Sequence, residues 1–152
     1  MSKSAIFVAA VFVLAVGSFF WNLANPTPTR PVRSMEPPDL SGVADGAPIV
    51  DVILPETLSE SAQIGKRVFE NSCAVCHGTN AAGQNGVAPP LVHITYEPNH
   101  HSDLAFVMAA KNGVQSHHWA FGNMPPIQGL TDGDVKLIAR YIRELQEANG
   151  IF

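Results

Sequence analysis

The chain has 152 residues, 46% of them apolar, and a formal net charge of −4. That length suits one compact domain with appendages, and the apolar content excludes a wholly disordered chain. From residue 57 onward six Lys and Arg stand against eight Asp and Glu; this excludes the clustered basic surface that nucleic acid requires, so no nucleic-acid partner is expected.

Residues 5–24 read AIFVAAVFVLAVGSFFWNLA without a charge. Twenty helical residues at about 1.5 Å each span about 30 Å, the thickness of a bilayer hydrocarbon core. Lys3 precedes the run and Trp21 stands near its far end, where an indole favours the membrane interface. The segment reads as an N-terminal transmembrane anchor over residues 1–24; the competing reading is a signal peptide cleaved near Gly17 or Ser18. Either one exports the remainder of the chain. Lys3 on one side and Arg30 and Arg33 on the other leave the charge rule for orientation nearly silent.

Residues 25–56 hold seven of the twelve prolines and show little apolar periodicity. Such a stretch buries too little surface to offset its ordering entropy and reads as an extended tether, with residues 49–54 as a short arm that could pack on the domain. The folded domain is expected over residues 57–152. Thr57-Leu58-Ser59-Glu60 has capping-box spacing, predicting a helix over 58–71 with Thr57 as N-cap and Ile64, Val68 and Phe69 buried. A second helix is expected over 103–112, capped by Ser102 and closed by Gly113. A third starts at Thr131, carries Val135, Ile138, Ile142 and Leu145 as one stripe with Leu137 and Tyr141 beside it, and ends at Asn149-Gly150. No alternating strand pattern appears between them. The fold class expected is all-α, with three main helices and long loops. Three short helices make a thin core for a domain of this size, which then needs another source of buried apolar matter.

The run Cys73-Ala74-Val75-Cys76-His77 supplies one. Two thiols at this spacing can add across the two vinyl groups of one haem, and the imidazole next in the chain can bind the iron from below. A redox dithiol or half a zinc site are the alternatives. A redox dithiol should come after a strand, whereas this motif ends a helix. A zinc site has no third cysteine and would need His100-His101 or His117-His118 to complete it. The sixth iron ligand is expected from Met124, which lies in the rigid turn Gly122-Asn123-Met124-Pro125-Pro126 instead of on a periodic core face. His117 or His118 is the competing ligand.

These residues resemble the class I c-type cytochrome family over about residues 57–151, and in its anchor and tether the chain resembles membrane-anchored bacterial monohaem cytochromes c. Gly65-Lys66-Arg67-Val68-Phe69 is similar to the family's first-helix pattern, a glycine with an aromatic four residues on. Ala88-Pro89-Pro90-Leu91 is similar to its Gly-Pro-x-Leu segment, with Ala88 where glycine is usual, and Met124-Pro125-Pro126 to its distal-ligand loop. The resemblance implies a small fold around one covalently bound haem c. It implies a close crossing of Gly65 with the terminal helix near Tyr141, and a hydrogen bond from His77 to the carbonyl of Pro89 that orients the imidazole. It implies an electron carrier that is not a catalyst on its own, cycling Fe(III)/Fe(II) between a bc1-type donor and a terminal oxidase or reductase acceptor. The haem domain would face the periplasm from a single-pass anchor in the inner membrane. A dedicated electron-transfer subunit of a dehydrogenase or reductase, and a haem-based sensor, are the rival functions.

His93, His100, His101, His117 and His118 are many for one small domain. Loop polarity and hydrogen bonding to haem propionates or backbone account for them most simply. A copper or zinc site built from the two His-His pairs is the other reading. Trp119 and Phe121 are expected to wall the haem pocket, the indole N–H seeking a partner.

Overall fold

The computed structural model describes the backbone of residues 3–24 and 35–152, and the side chains of residues 11–21 and 35–152. The chain divides into two units, Met1–Arg33 and Ser34–Phe152. The first holds helix α1 (Lys3–Ala24). Among the described residues no helix is long and apolar enough to cross a membrane. The anchor expected over 1–24 extends beyond the described side chains, and residues 25–34 of the expected tether lie outside the described residues.

The second unit is all-helical: α2 (Glu60–Ser72), the single turn α3 (Ala74–His77), 3-10 turns at Thr79–Ala81 and Ile94–Tyr96, α4 (Asp103–Asn112) and α5 (Asp132–Ala148). Among the described residues the extended pairing amounts to two isolated bridges, Gln84 with Ala88 and Val114 with Met124. This is the expected fold class, without support for a membrane-spanning helix.

Helices α2 and α5 cross at Gly65. A Cβ built there would stand 1.9 Å from the Leu137 carbonyl oxygen. Only a residue without a side chain lets the two backbones approach this closely. The crossing sets which face of α2 is buried: Ala62, Gly65 and Phe69 point inward, and the Phe69 ring lies 5.6 Å from that of Tyr141. Ile64, expected inside, is 41% exposed, because one residue's rotation of about 100° carries it off the Gly65 face. The stripe on α5 is as periodic as expected, with Val135, Ile138, Ile142 and Leu145 all buried. Its start is a capping box between Thr131 and Asp134.

The start of α2 differs from the expectation. Ser59, not Thr57, is the N-cap and accepts from the Ala62 amide. The carboxylate that secures this cap belongs to Glu144 of α5: it accepts from the Ser59 amide at 3.0 Å and from the Ser59 hydroxyl at 2.6 Å. A long-range carboxylate thus replaces the local partner, Glu60, that capping-box spacing implied. Ser102 does stand at the N-cap of α4, but its side chain makes no capping hydrogen bond.

Residues 35–56 are bonded to the domain over much of their length. Thr95 donates to the Met35 carbonyl, Asn85 to that of Val43, and the Ile49 and Val50 amides donate to Ala82. The Ile53 amide and carbonyl both meet the Asn149 side chain.

The crossing and the cap can each be tested by substitution. Gly65→Ala should cost about 2 kcal/mol or more in guanidinium unfolding monitored by far-ultraviolet circular dichroism, because the backbones must part to admit the methyl. Glu144→Gln should cost about 1–2 kcal/mol at pH 7. Burial alone would raise the Glu144 pKa, but bonds from Ser59 and the nearby Arg140 outweigh it and the net shift is downward. A depressed carboxylate contributes stability above its ordinary value of 4.5 and loses it as pH falls through the folded value. The penalty of the variant should therefore shrink below about pH 4.5.

Candidate functional site

The Cys73-to-His77 run folds as one helical turn. Cys73 is both the C-cap of α2 and the N-cap of α3, and its carbonyl accepts from the Cys76 and His77 amides at 3.1 and 2.9 Å. Residues three apart on such a turn share a side, so both sulfurs face the same way along one edge. Cys73 is half-buried and Cys76 exposed. Burial, with the Cys76 sulfur beside it, pushes the Cys73 thiol up to about 11. A redox dithiol needs the opposite, an attacking thiol that ionises readily.

His77 is buried, 9% exposed. Its Nδ1 lies 2.9 Å from the Pro89 carbonyl oxygen. A carbonyl only accepts, so Nδ1 carries the proton and donates, and Nε2 is left with its lone pair. Burial holds the His77 pKa below its ordinary value, outweighing the opposite effect of the Pro89 bond. The ring is thus kept neutral in the tautomer that a metal ligand needs.

The loop that carries Pro89 is bound back to the turn after His77. The Gly83 amide donates to the His77 carbonyl, and the Leu91 amide to that of Ala81. Asn80 and Ala81 adopt φ of 54° and 59°. Tyr141 of α5 steadies this left-handed pair by donating to the Asn80 side chain at 3.2 Å.

Met124 lies on a separate loop. Its amide and carbonyl form both hydrogen bonds of an antiparallel bridge to Val114, at 3.0 and 2.9 Å. Gly113 makes room: its φ is +74°, and a Cβ there would meet the Met124 carbonyl at 2.5 Å. The Ile127 amide, beyond the two prolines, donates to the Ala110 carbonyl near the end of α4. The backbone holding the thioether is therefore fixed on both sides. Trp119, on the same loop, is buried with its ring stacked on Phe121 at 5.8 Å and edge-on to His93 at 5.1 Å. Its Nε1 is buried without a hydrogen-bond partner. The indole is near enough to temper the upward shift that burial imposes on the Tyr96 phenol, but it makes no bond of acceptable geometry with it. A groove of about 290 Å³ between α4 and the start of α5, lined by Val107, Ala110, Ile127 and Val135, includes none of Cys73, Cys76, His77, Pro89, Met124 or Trp119 in its lining.

A model of the family described as cytochrome c matches residues 62–146. The chain belongs to the cytochrome c family. It is also 31% identical over 98 residues to the Cbb3-type cytochrome c oxidase subunit CcoP of Rubrivivax gelatinosus, an alignment covering 61% of this chain and 30% of that protein. The chain thus matches under a third of that relative's length.

Membership makes the cofactor covalently bound haem c, with Cys73 and Cys76 in its attachment motif, and the function electron transfer. The residues fit that group. The buried neutral His77 presents Nε2, two sulfurs lie along one helical turn, and the orphaned Trp119 N–H lacks an acceptor of the kind a propionate carboxylate supplies.

Periodicity did not reveal the polar set on α5 that positions these loops. Arg143 is 7% exposed. Its Nε donates to Asp103 at 2.8 Å, its Nη1 to the Tyr96 carbonyl and the Gln146 amide oxygen at 2.6 Å each, and its Nη2 to the His101 carbonyl. Its guanidinium also lies 5.1 Å from the Phe106 ring centre. Gln146 donates to the carbonyls of Leu91 and Tyr96. One helix face thereby grips residues 91–101. The available signal was the i, i+3 spacing of Arg143 and Gln146 next to the apolar stripe, but that pattern is equally common on solvated faces.

Arg143→Met should lower stability by about 2–4 kcal/mol, since two partly buried carbonyls and the buried Gln146 oxygen lose a charged donor. Asp103→Asn should cost less than about 1 kcal/mol, because the Asp103 side chain is largely in water. Denaturant midpoints at constant m-value would measure both.

Proposed function

We propose that this cytochrome c is a membrane-anchored monohaem electron carrier that passes single electrons between respiratory membrane complexes. The observation that carries the site assignment is the His77 Nδ1–Pro89 carbonyl hydrogen bond within the Cys73-to-His77 turn. In this reading Cys73 and Cys76 form the thioether bonds, His77 Nε2 is the proximal iron ligand and Met124 sulfur the distal one. Bound haem supplies one-electron chemistry through the ferric and ferrous states of its iron. The chain's own residues do the rest. The Pro89 carbonyl holds the imidazole in register and makes it a richer donor. The Val114 bridge and the prolines after Met124 hold the thioether in place through both oxidation states. A thioether also favours ferrous iron over a second imidazole and so raises the potential.

The reading assigns residues 1–24 to the anchor, 25–56 to a Pro-rich connection whose later part lies against the domain, and 57–152 to the haem domain. Its support for a membrane location is the uncharged apolar run of residues 5–24 within α1. With one inner-membrane span, the haem domain would face the periplasm. An anchor confines encounters to a plane and raises the effective concentration at neighbouring complexes, a bc1-type donor and a terminal oxidase or reductase acceptor. The likeness to CcoP favours a second reading, a dedicated electron-transfer subunit of an oxidase.

Met124→Ala should retain covalent haem on a stained denaturing gel. It should lose the Met–iron absorption band, and its potential should fall by roughly 0.1–0.3 V within the ~0.8 V that axial ligands span. Persistence of that band would move the distal ligand elsewhere. His77→Ala should sharply reduce the yield of haem-loaded protein. Solubilised membranes then separate the two functional readings: a free cytochrome on gel filtration supports the mobile carrier, and constant stoichiometry with one oxidase supports the subunit.

A further inference from the structure

Four imidazoles from two loops converge on one side of the domain. His100 and His101 end the turn whose amides donate to the Glu97 carbonyl at 3.1 and 2.8 Å. His117 and His118 lie on the loop closed by the Val114–Met124 bridge. His100 Nε2 and His118 Nε2 are 3.2 Å apart, and one nitrogen from each of His100, His101 and His118 falls within 4.8 Å of the others. His117 stands against them, its ring centre 4.3 Å from that of His118. Two imidazole nitrogens bound to zinc at 2.0–2.1 Å with a tetrahedral angle are about 3.3 Å apart. The His100–His118 pair already has that separation, and His101 has only to draw in.

The surrounding bonds prepare the rings as ligands. His101 Nδ1 lies 2.6 Å from the Thr95 carbonyl and His117 Nδ1 lies 2.8 Å from that of Gln115. Each carbonyl can only accept, so in both rings Nδ1 is protonated and Nε2 keeps its lone pair, the arrangement that outer-shell partners impose on metal-binding histidines. The backbone is equally fixed. Arg143 holds the His101 carbonyl, and Ser116 bonds to Asn123 and to the Trp119 carbonyl across the second loop. His100 is exposed, with His101 and His118 partly so, so an ion can enter from solvent. Burial, the neighbouring imidazoles and, for His101, the charge of Arg143 lower the proton affinity of His101 and His118, although the Thr95 bond opposes this for His101.

We propose that His100, His101 and His118 form a binding site for one divalent cation of the zinc–copper class, with the fourth position open to water or His117. All-imidazole donors suit both metals, and a three-histidine set leaves the coordination shell incomplete. The ion would tie residues 97–101 to residues 115–123. The site rests on the reading that Met124, and not His118, is the distal ligand of the haem; a haem spectrum altered by His118→Gln would point to failure of that reading and not of the cation site.

The test uses ferric, haem-loaded protein and Zn²⁺, which is redox-inert and does not react with the iron. Titration against a chromophoric zinc chelator at pH 7.5 should show one equivalent bound. The affinity should fall at least tenfold in both His118→Gln and His100→Gln, each with an unchanged haem spectrum, while His93→Gln binds as the parent does. The parent's melting temperature should rise with Zn²⁺ and that of the two variants should not. No stoichiometric binding, or binding equally tight in His118→Gln and His100→Gln, would overturn the proposal. The second of those outcomes would place the ion elsewhere, such as on haem carboxylates.

Discussion

The approach of α2 to α5 at Gly65 is the constraint from which the haem domain is built. A backbone-to-backbone contact with the Leu137 carbonyl leaves no room for any side chain. Once it is made, Phe69 and Tyr141 must pack on each other, and the end of α2 is delivered to a fixed place beside α5. Cys73 is the last cap of that helix and the first of the next turn, so the haem-attachment motif inherits its position from the crossing. Conformational freedom in helix α2 is given up to achieve this, since glycine within a helix costs roughly 0.5–1 kcal/mol relative to alanine.

Helix α5 has a second task that its apolar stripe does not reveal. Around the same cylinder, Glu144 secures the start of α2, Tyr141 steadies the turn after His77, and Arg143 and Gln146 hold residues 91–101. Loops make up much of this domain, and buried loop carbonyls need donors that no ladder provides. A single buried guanidinium with several directed N–H groups meets that need at several carbonyls together. The result is a rigid scaffold for a buried imidazole on one loop and a thioether on another. Rigidity of that kind suits the proposed electron carrier, whose iron would change charge without changing ligands.

Much of the proposed site could be named before any coordinates. Cys73, Cys76 and His77 stand out because the haem-attachment motif fixes both residue type and spacing. The hydrogen bond between His77 and Pro89 was implied by family likeness, and the geometry places that carbonyl 2.9 Å from Nδ1. Met124 stood out as a methionine outside any periodic face, and its loop is fixed by the bridge to Val114. The start of α2 was misread because local spacing favoured Thr57, whereas a carboxylate 85 residues away captures Ser59. Ile64 was misassigned to the core for a related reason: in a short amphipathic helix the partner's position, not the mean hydrophobic direction, chooses the buried face.

By itself the sequence determined the chemistry. The order and spacing of two thiols and an imidazole, the stripe on α5 and the uncharged run of residues 5–24 are local patterns, readable because each depends on neighbours one or two helical turns away. Tertiary structure alone decided what depends on residues far apart in the chain: the cap that Glu144 provides, the loops that Arg143 gathers, and the meeting of His100, His101 and His118. Those contacts are directional and long-range. No periodicity encodes them, because they exist only once the close passage of two helices has fixed where every loop must run.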